Sequence, residues 1–300
     1  MKVAECVVTN EVMPLPRYAG LWDSIVVGDE VKDRLLNQAL LGLELRARLG
    51  FEVTALHGLV LLYGPPGTGK TTLAKGLPYE LSPLVQGRTV RLIEVNPHGL
   101  MSAEHGQSQQ KVMELLCDYV PLLADDGRPT VVVLDEVESM TVARSAASLS
   151  ANPADVHRAT DAVLAALDRN TAEHPHLLTV ATSNFTASLD EAFQSRADCA
   201  IEVPLPHAAA IAAILARTLH GFAQTYPALR ELAYGAGLKR VAAKLIGADG
   251  RRVRKLVTEA MARRRSTVLN PGALTLADLL AAAEVLAVDL PQGGERGAAA

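Results

Sequence analysis

The run Gly64-Pro65-Pro66-Gly67-Thr68-Gly69-Lys70-Thr71 constrains the fold more than any other part of this 300-residue chain. It follows an apolar stretch from Gly58 to Tyr63 and opens a helical pattern, so it joins a buried strand to a helix. Glycines at 64, 67 and 69 let backbone N–H groups turn inward, and the helix that follows offers its positive end to the same point. Such a loop cradles phosphate. Lys70 supplies a mobile charge for the β- and γ-phosphates of a nucleotide such as ATP, the Thr71 hydroxyl can ligate Mg2+, and Thr72 closes the set expected to touch the nucleotide. A Gly/Pro-rich surface turn could share the letters, but it would need neither the strand before nor the helix after.

From about Trp22 to Val203, short apolar runs alternate with helical patterns, which predicts an α/β fold with a parallel sheet between helices. Five runs read as strands: Gly58 to Tyr63, Thr89 to Val95, Thr130 to Asp135, Leu177 to Thr182 and Cys199 to Val203. Helices are expected near Lys70 to Leu77, Ser108 to Ala124 and Val156 to Asn170. Past Pro204 and Pro206 the pattern is helical only, over His207 to His220, Lys239 to Ile246, Arg251 to Arg265 and Ala277 to Ala287. The expected organisation is an N-terminal tail at 1–20, a large domain at 21–204, a smaller helical lid at 205–290 and a disordered tail at 291–300.

The apolar run Val131-Val132-Val133-Leu134 ends in two acids, Asp135 and Glu136. At the carboxyl edge of a parallel sheet, Asp135 can hold the Mg2+ shell and Glu136 can polarise the water that attacks the γ-phosphate. An acid pair capping a helix would look the same in isolation; the phosphate loop upstream favours chemistry. The next strand ends in Thr182-Ser183-Asn184. Asn184 would orient the attacking water if its strand lies between the other two, and is otherwise an ordinary turn former.

A net charge of −4 argues against a chain that binds nucleic acid over its whole surface. The basic cluster Arg251-Arg252-Val253-Arg254-Lys255 leaves two readings open, contact with DNA or an Arg251 that reaches the bound nucleotide. Overall acidity and the lack of a DNA-reading module favour the second. Three scattered cysteines fit neither a disulfide framework nor a tetrahedral metal site, and no apolar run reaches membrane-spanning length, so a cytoplasmic protein is expected.

Taken together, the residues resemble the AAA+ ATPases, and among them the pachytene checkpoint / thyroid receptor interactor family. The resemblance runs through Leu21-Trp22-Asp23-Ser24, Ile93-Glu94-Val95-Asn96-Pro97-His98, Asp135-Glu136-Val137-Glu138-Ser139 with Ala143-Arg144, Arg196-Ala197-Asp198 and Gly250-Arg251. It implies a homo-hexameric ring in which Arg196 reaches the neighbouring subunit's nucleotide, with a pair to Asp190 or Asp198 as the structural alternative, and in which Arg251 is the lid arginine. It implies a HORMA-domain protein as client, opened or stripped from its complex, and, for bacterial relatives, a place beside a nucleotide cyclase in antiphage signalling. The alternatives are another protein client or a DNA-directed clamp-loader or initiator activity. Where this family's pore loop carries an aromatic grip, the chain reads Ser102-Ala103-Glu104-His105-Gly106, which leaves the stretch Arg144 to Asp155 either as another candidate for gripping a client or as a flexible surface loop.

Overall fold

The computed structural model describes residues 3–85, 89–96, 107–141, 153–185 and 189–288. Six strands are present among them: β1 (Val7–Met13), β2 (Leu59–Tyr63), β3 (Val90–Val95), β4 (Thr130–Leu134), β5 (Leu177–Ser183) and β6 (Cys199–Glu202). They form one sheet in the order β1-β3-β4-β5-β2-β6. The pairs β3 with β4, β4 with β5, β5 with β2 and β2 with β6 are parallel, whereas β1 runs antiparallel to β3.

The parallel strands read as apolar runs because both of their faces are covered. Every residue of β4 and β5 is buried. Successive residues alternate between two cores. Leu59, Leu61, Val132, Leu134 and Ala181 face one, and Val60, Leu62, Val131, Val133 and Val180 face the other. The second core is closed by helices α1 (Asp29–Arg46) and α2 (Lys70–Leu81), through Leu35, Ala39 and Leu43 of the former and Leu73, Leu77 and Leu81 of the latter. On the opposite side, α3 (Gln107–Met113) leads into a π-helical stretch, Glu114–Tyr119, and a final α-helical turn, Val120–Leu123. Pro121, which brings no N–H to the ladder, sits at the start of that last piece. Leu115, Leu116 and Val120 pack there with Val163 and Leu167 of α4 (Pro153–Glu173). Each such side chain contributes roughly 1.5–3 kcal/mol by leaving water.

Several elements lie outside the sequence expectation, and two of them build the layers of the sheet. The segment read as a tail supplies β1, a sixth and antiparallel strand beside the five expected ones. Its signal is masked because an edge strand mixes polar residues with apolar ones. Thr9 and Asn10 tie it down, the first donating to Glu94 at 3.2 Å and the second accepting from Arg91 at 2.8 Å. Helix α1 is the other addition, and its 18 residues are mostly charged or polar outside the buried stripe.

By its internal contacts the chain divides into two units, one of Met1–Gly64 with Lys70–Val203, the other of Pro65–Gly69 with Pro204–Ala300. The second contains α5 (Ala208–Ala223), α6 (Leu229–Tyr234), α7 (Leu238–Lys244), α8 (Gly250–Ala262) and α9 (Leu276–Val288). Their apolar stripes meet through Ile211, Leu215, Leu229, Val241, Leu256 and Leu279, all fully buried. No helix among the described residues is long and apolar enough to cross a membrane. The 291–300 tail, the Glu104-His105 stretch, Pro97-His98, Ala143-Arg144 and all but the last few residues of the Arg144 to Asp155 stretch lie outside the described residues.

Candidate nucleotide site

Strand register assembles the site. Leu134 pairs with Ala181, so the next residues on each strand, Asp135 and Thr182, emerge side by side. Tyr63 pairs with Ser183 on the other flank of β5, which brings Gly64 and Asn184 together in the same way. The condition on Asn184 is therefore met, since β5 lies between β4 and β2.

Asp135 Oδ1 accepts two hydroxyl hydrogen bonds, from Thr71 Oγ1 at 2.6 Å and from Thr182 Oγ1 at 2.5 Å. The Thr182 hydroxyl in turn accepts from the backbone N–H of Glu136 at 3.0 Å. One buried threonine thus fixes both acids, the carboxylate of one and the main chain of the other. Sequence reasoning gave Thr182 no role; a hydroxyl ending the strand beside the acids was the signal available.

Glu136 stands in the left-handed region with φ 51°, shared among non-glycine residues only by Ala55 within the described chain. For an ordinary L-residue that conformation costs roughly 1–2 kcal/mol, and such strain concentrates where function requires a particular aim. Here it leaves Glu136 exposed while Val137 turns fully inward. A cavity of about 270 Å3 lies beside these acids, lined by Val8, Glu94, Val95, Asn96, Asp135 and Glu136.

The start of the phosphate loop is shaped by close approach. Gly64 has φ 141°, and a Cβ there would lie 2.3 Å from the Val203 carbonyl oxygen. Lys70, only 6% exposed, donates to Gly64 O at 2.8 Å and to Asn184 Oδ1 at 2.9 Å. The remaining loop residues, Pro65, Pro66, Gly67, Thr68 and Gly69, fall in the second unit, where Thr68 Oγ1 donates to Pro65 O at 3.0 Å. Within that unit a Cβ on Gly67 would meet Asp249 Oδ1 at 2.2 Å. Asp249 caps α8 by accepting from Arg251 N–H at 2.9 Å and Arg252 N–H at 3.0 Å. Arg251 is thus held in the first turn of α8 with its side chain exposed.

Arg196 follows the short helix Glu191–Ser195 and makes a two-pronged pair with Asp168 of α4, Nε to Oδ1 and Nη2 to Oδ2, each 2.8 Å. The direct partner is neither of the two acids expected from the sequence. Asp190 caps the short helix by accepting from Ala192 N–H at 2.9 Å. Asp198 accepts from the N–H groups of His57, Gly58 and Leu59 at 2.7, 2.7 and 3.1 Å, anchoring the entry to β2. The Arg196 hydrogen bond holds the Asp168 carboxyl below the usual range, and the same bond raises the guanidinium.

The donor set suits magnesium. A threonine hydroxyl and a carboxylate oxygen are hard ligands that converge within hydrogen-bond distance, which fits a cation held by one or two protein oxygens together with substrate phosphates.

Residues 60–205 match the family described as ATPase family associated with various cellular activities, AAA. CD-NTase-associated protein 6 of Pseudomonas aeruginosa is 42% identical over 284 residues, covering 95% of this chain and 93% of that protein. The pachytene checkpoint protein 2 homolog of Rattus norvegicus is 37% identical over 203 residues, 67% of this chain and 47% of that one, so the match spans about half of the longer relative. Among solved structures, a chain in the E. coli MS115-1 HORMA:CdnC:Trip13 complex aligns with a TM-score of 0.73 at 18% identity, covering 94% of this chain and 96% of its own, which shows a shared fold.

Proposed function

Because the chain belongs to the AAA family of ATPases, in the group of CD-NTase-associated protein 6 and pachytene checkpoint protein 2, we propose that it is an ATP-driven remodeller of HORMA-domain protein complexes. The setting is a bacterial antiphage system whose other members are that HORMA protein and a nucleotide cyclase, with the ATPase acting in the cytoplasm to open or disassemble the complex. One observation carries this reading: the near end-to-end match, 42% identical, to a relative named for its association with a CD-NTase. A solved neighbour whose title joins HORMA, CdnC and Trip13 supports the same assignment.

The reading assigns the chemistry to the residues of the candidate site. The loop from Gly64 to Thr72 holds the triphosphate, and Lys70 exchanges Asn184 and Gly64 O for the β- and γ-phosphates. Thr71 and Asp135 would hold Mg2+, whose charge offsets that of the phosphate oxygens. Glu136 accepts a proton from the water that attacks the γ-phosphorus as the bond to the bridging oxygen breaks, and Asn184 orients that water. Arg196 serves the neighbouring subunit's nucleotide in a homo-hexamer, which requires it to leave Asp168. Arg251 reports the phosphate to the helical lid at 205–290, the ATPase domain being 21–204 together with the β1 segment that pairs with β3. What supports this last role is the contact of its helix cap, Asp249, with Gly67 of the loop.

The test is to mix the protein and ATP with a HORMA-domain protein held in its closed complex. Conversion of a closed HORMA complex to the open form, dependent on hydrolysis, is the expected result; a closed complex that persists unchanged sinks the proposal.

A further inference from the structure

Glu138 lies two residues after Glu136, in the 3-10 turn Val137–Ser139, and has no part in the chemistry described so far. Its Oε1 accepts two hydrogen bonds from a single residue, from Asn184 N–H and from Asn184 Nδ2, each 3.1 Å. Its Oε2 is buried and has no hydrogen-bond partner among the described residues. A carboxylate placed this way needs a reason, since burying an acceptor without a donor is unfavourable.

The reason lies in the polarity of the Asn184 amide. A side-chain amide has a donor end and an acceptor end, and either could point at a nucleotide. Its two neighbours here settle the choice chemically. Lys70 is an ammonium that can only donate, and it meets Oδ1 at 2.9 Å; Glu138 is a carboxylate that only accepts, and it meets Nδ2. Rotating the amide by half a turn would set donor against donor at Lys70 and acceptor against acceptor at Glu138.

We propose that Glu138 is a positioning residue that locks Asn184 with its carbonyl oxygen toward Lys70, so that Asn184 meets the attacking water as an acceptor. The proposal rests on the reading of Asn184 as the residue that orients this water. The lock outlasts the Lys70 contact, because the Glu138 bonds include the Asn184 backbone N–H and do not depend on where the ammonium goes. One water O–H is then directed to Asn184 and the other to Glu136, which leaves a lone pair for the γ-phosphorus. With the amide free to turn, its N–H2 end would compete for that lone pair and hold the water in an unproductive pose.

The test uses steady-state ATPase kinetics and nucleotide affinity of the full chain bearing Glu138→Ala, Glu138→Gln, Asn184→Ala and the Glu138→Ala/Asn184→Ala pair. Glu138→Ala should lower kcat about tenfold while the ATP Kd stays within about twofold, and Glu138→Gln, which can still accept through its own carbonyl, should recover most of the loss. In the Asn184→Ala background the Glu138 substitution should cost nothing further, because a residue that acts only through Asn184 has no route left. A wild-type kcat for Glu138→Ala alongside a low kcat for Asn184→Ala overturns this proposal alone, as do losses that add in full in the double variant. A wild-type kcat for Asn184→Ala overturns the water-orienting reading and this proposal with it. If Glu138→Ala does not fold, Glu138→Met, similar in length and without an acceptor oxygen, and its double with Asn184→Ala carry the same comparison.

Discussion

Arg196 and Asp168, 28 residues apart in sequence, face each other fork to fork at 2.8 Å on both prongs. The Asp168 side chain is 49% exposed, so solvent screens the pair and it is worth at most about 1 kcal/mol. Its pH dependence has a defined sign. The Asp168 carboxyl is held below its ordinary value by the Arg196 bond, so the stabilisation is fully present above the unfolded-state pKa of about 3.9 and is lost as pH falls through the lower folded-state value. The stability gap between the wild type and Asp168→Asn should therefore be constant from about pH 5 to 8 and close below about pH 4. Denaturant titrations across that range measure it, and a gap that widens in acid contradicts the pairing.

Glu136→Gln and Lys70→Ala should separate hydrolysis from binding. The first keeps Thr71, Thr182 and Asp135 in their mutual hydrogen bonds and removes only the proposed base, so ATP should bind with near-normal affinity while turnover falls by about 100-fold or more. The second removes the ammonium that meets Gly64 O and Asn184, and ATP affinity itself should collapse. Fluorescent-nucleotide binding and phosphate release report the two quantities independently.

Thr182→Val is close in shape but deletes the hydroxyl that donates to Asp135 and accepts from Glu136 N–H. An orphaned backbone donor costs about 1–3 kcal/mol, and turnover should fall about tenfold as the acids lose their alignment. Thr182→Ser restores the hydroxyl and should restore most of the activity. Equal losses in both variants would point to packing instead.

Two glycine substitutions make a matched pair. Gly64→Ala sets a methyl 2.3 Å from the Val203 carbonyl oxygen at φ 141°, whereas Gly127→Ala, at φ 67°, meets nothing within 4 Å. The second should cost only the left-handed backbone term, about 1 kcal/mol. The first adds a clash with the main chain and should cost several times as much, with loss of ATP binding. Thermal melts with and without nucleotide distinguish them.

The phosphate loop, the acid pair and the five parallel strands were legible because each is local. The loop motif spans 8 consecutive residues, and a strand buried on both faces must be apolar along its length. Strand β1 was not legible, since an edge strand needs only one apolar face and Thr9, Asn10 and Glu11 interrupt it. Nor was the set of partners around each acid. Thr182 reaches Asp135 across 47 positions, and Asn184 reaches Glu138 across 46.

The sequence by itself determined the residue types of the site and the elements that carry them, because glycine's backbone freedom, a lysine after the loop and acids after an apolar run are properties of neighbouring residues. Tertiary structure alone decided which oxygen meets which donor. The register of Leu134 on Ala181 and of Tyr63 on Ser183 brings three chain segments to one edge. Register is a property of paired strands, set by how two whole faces pack, and no single segment contains it.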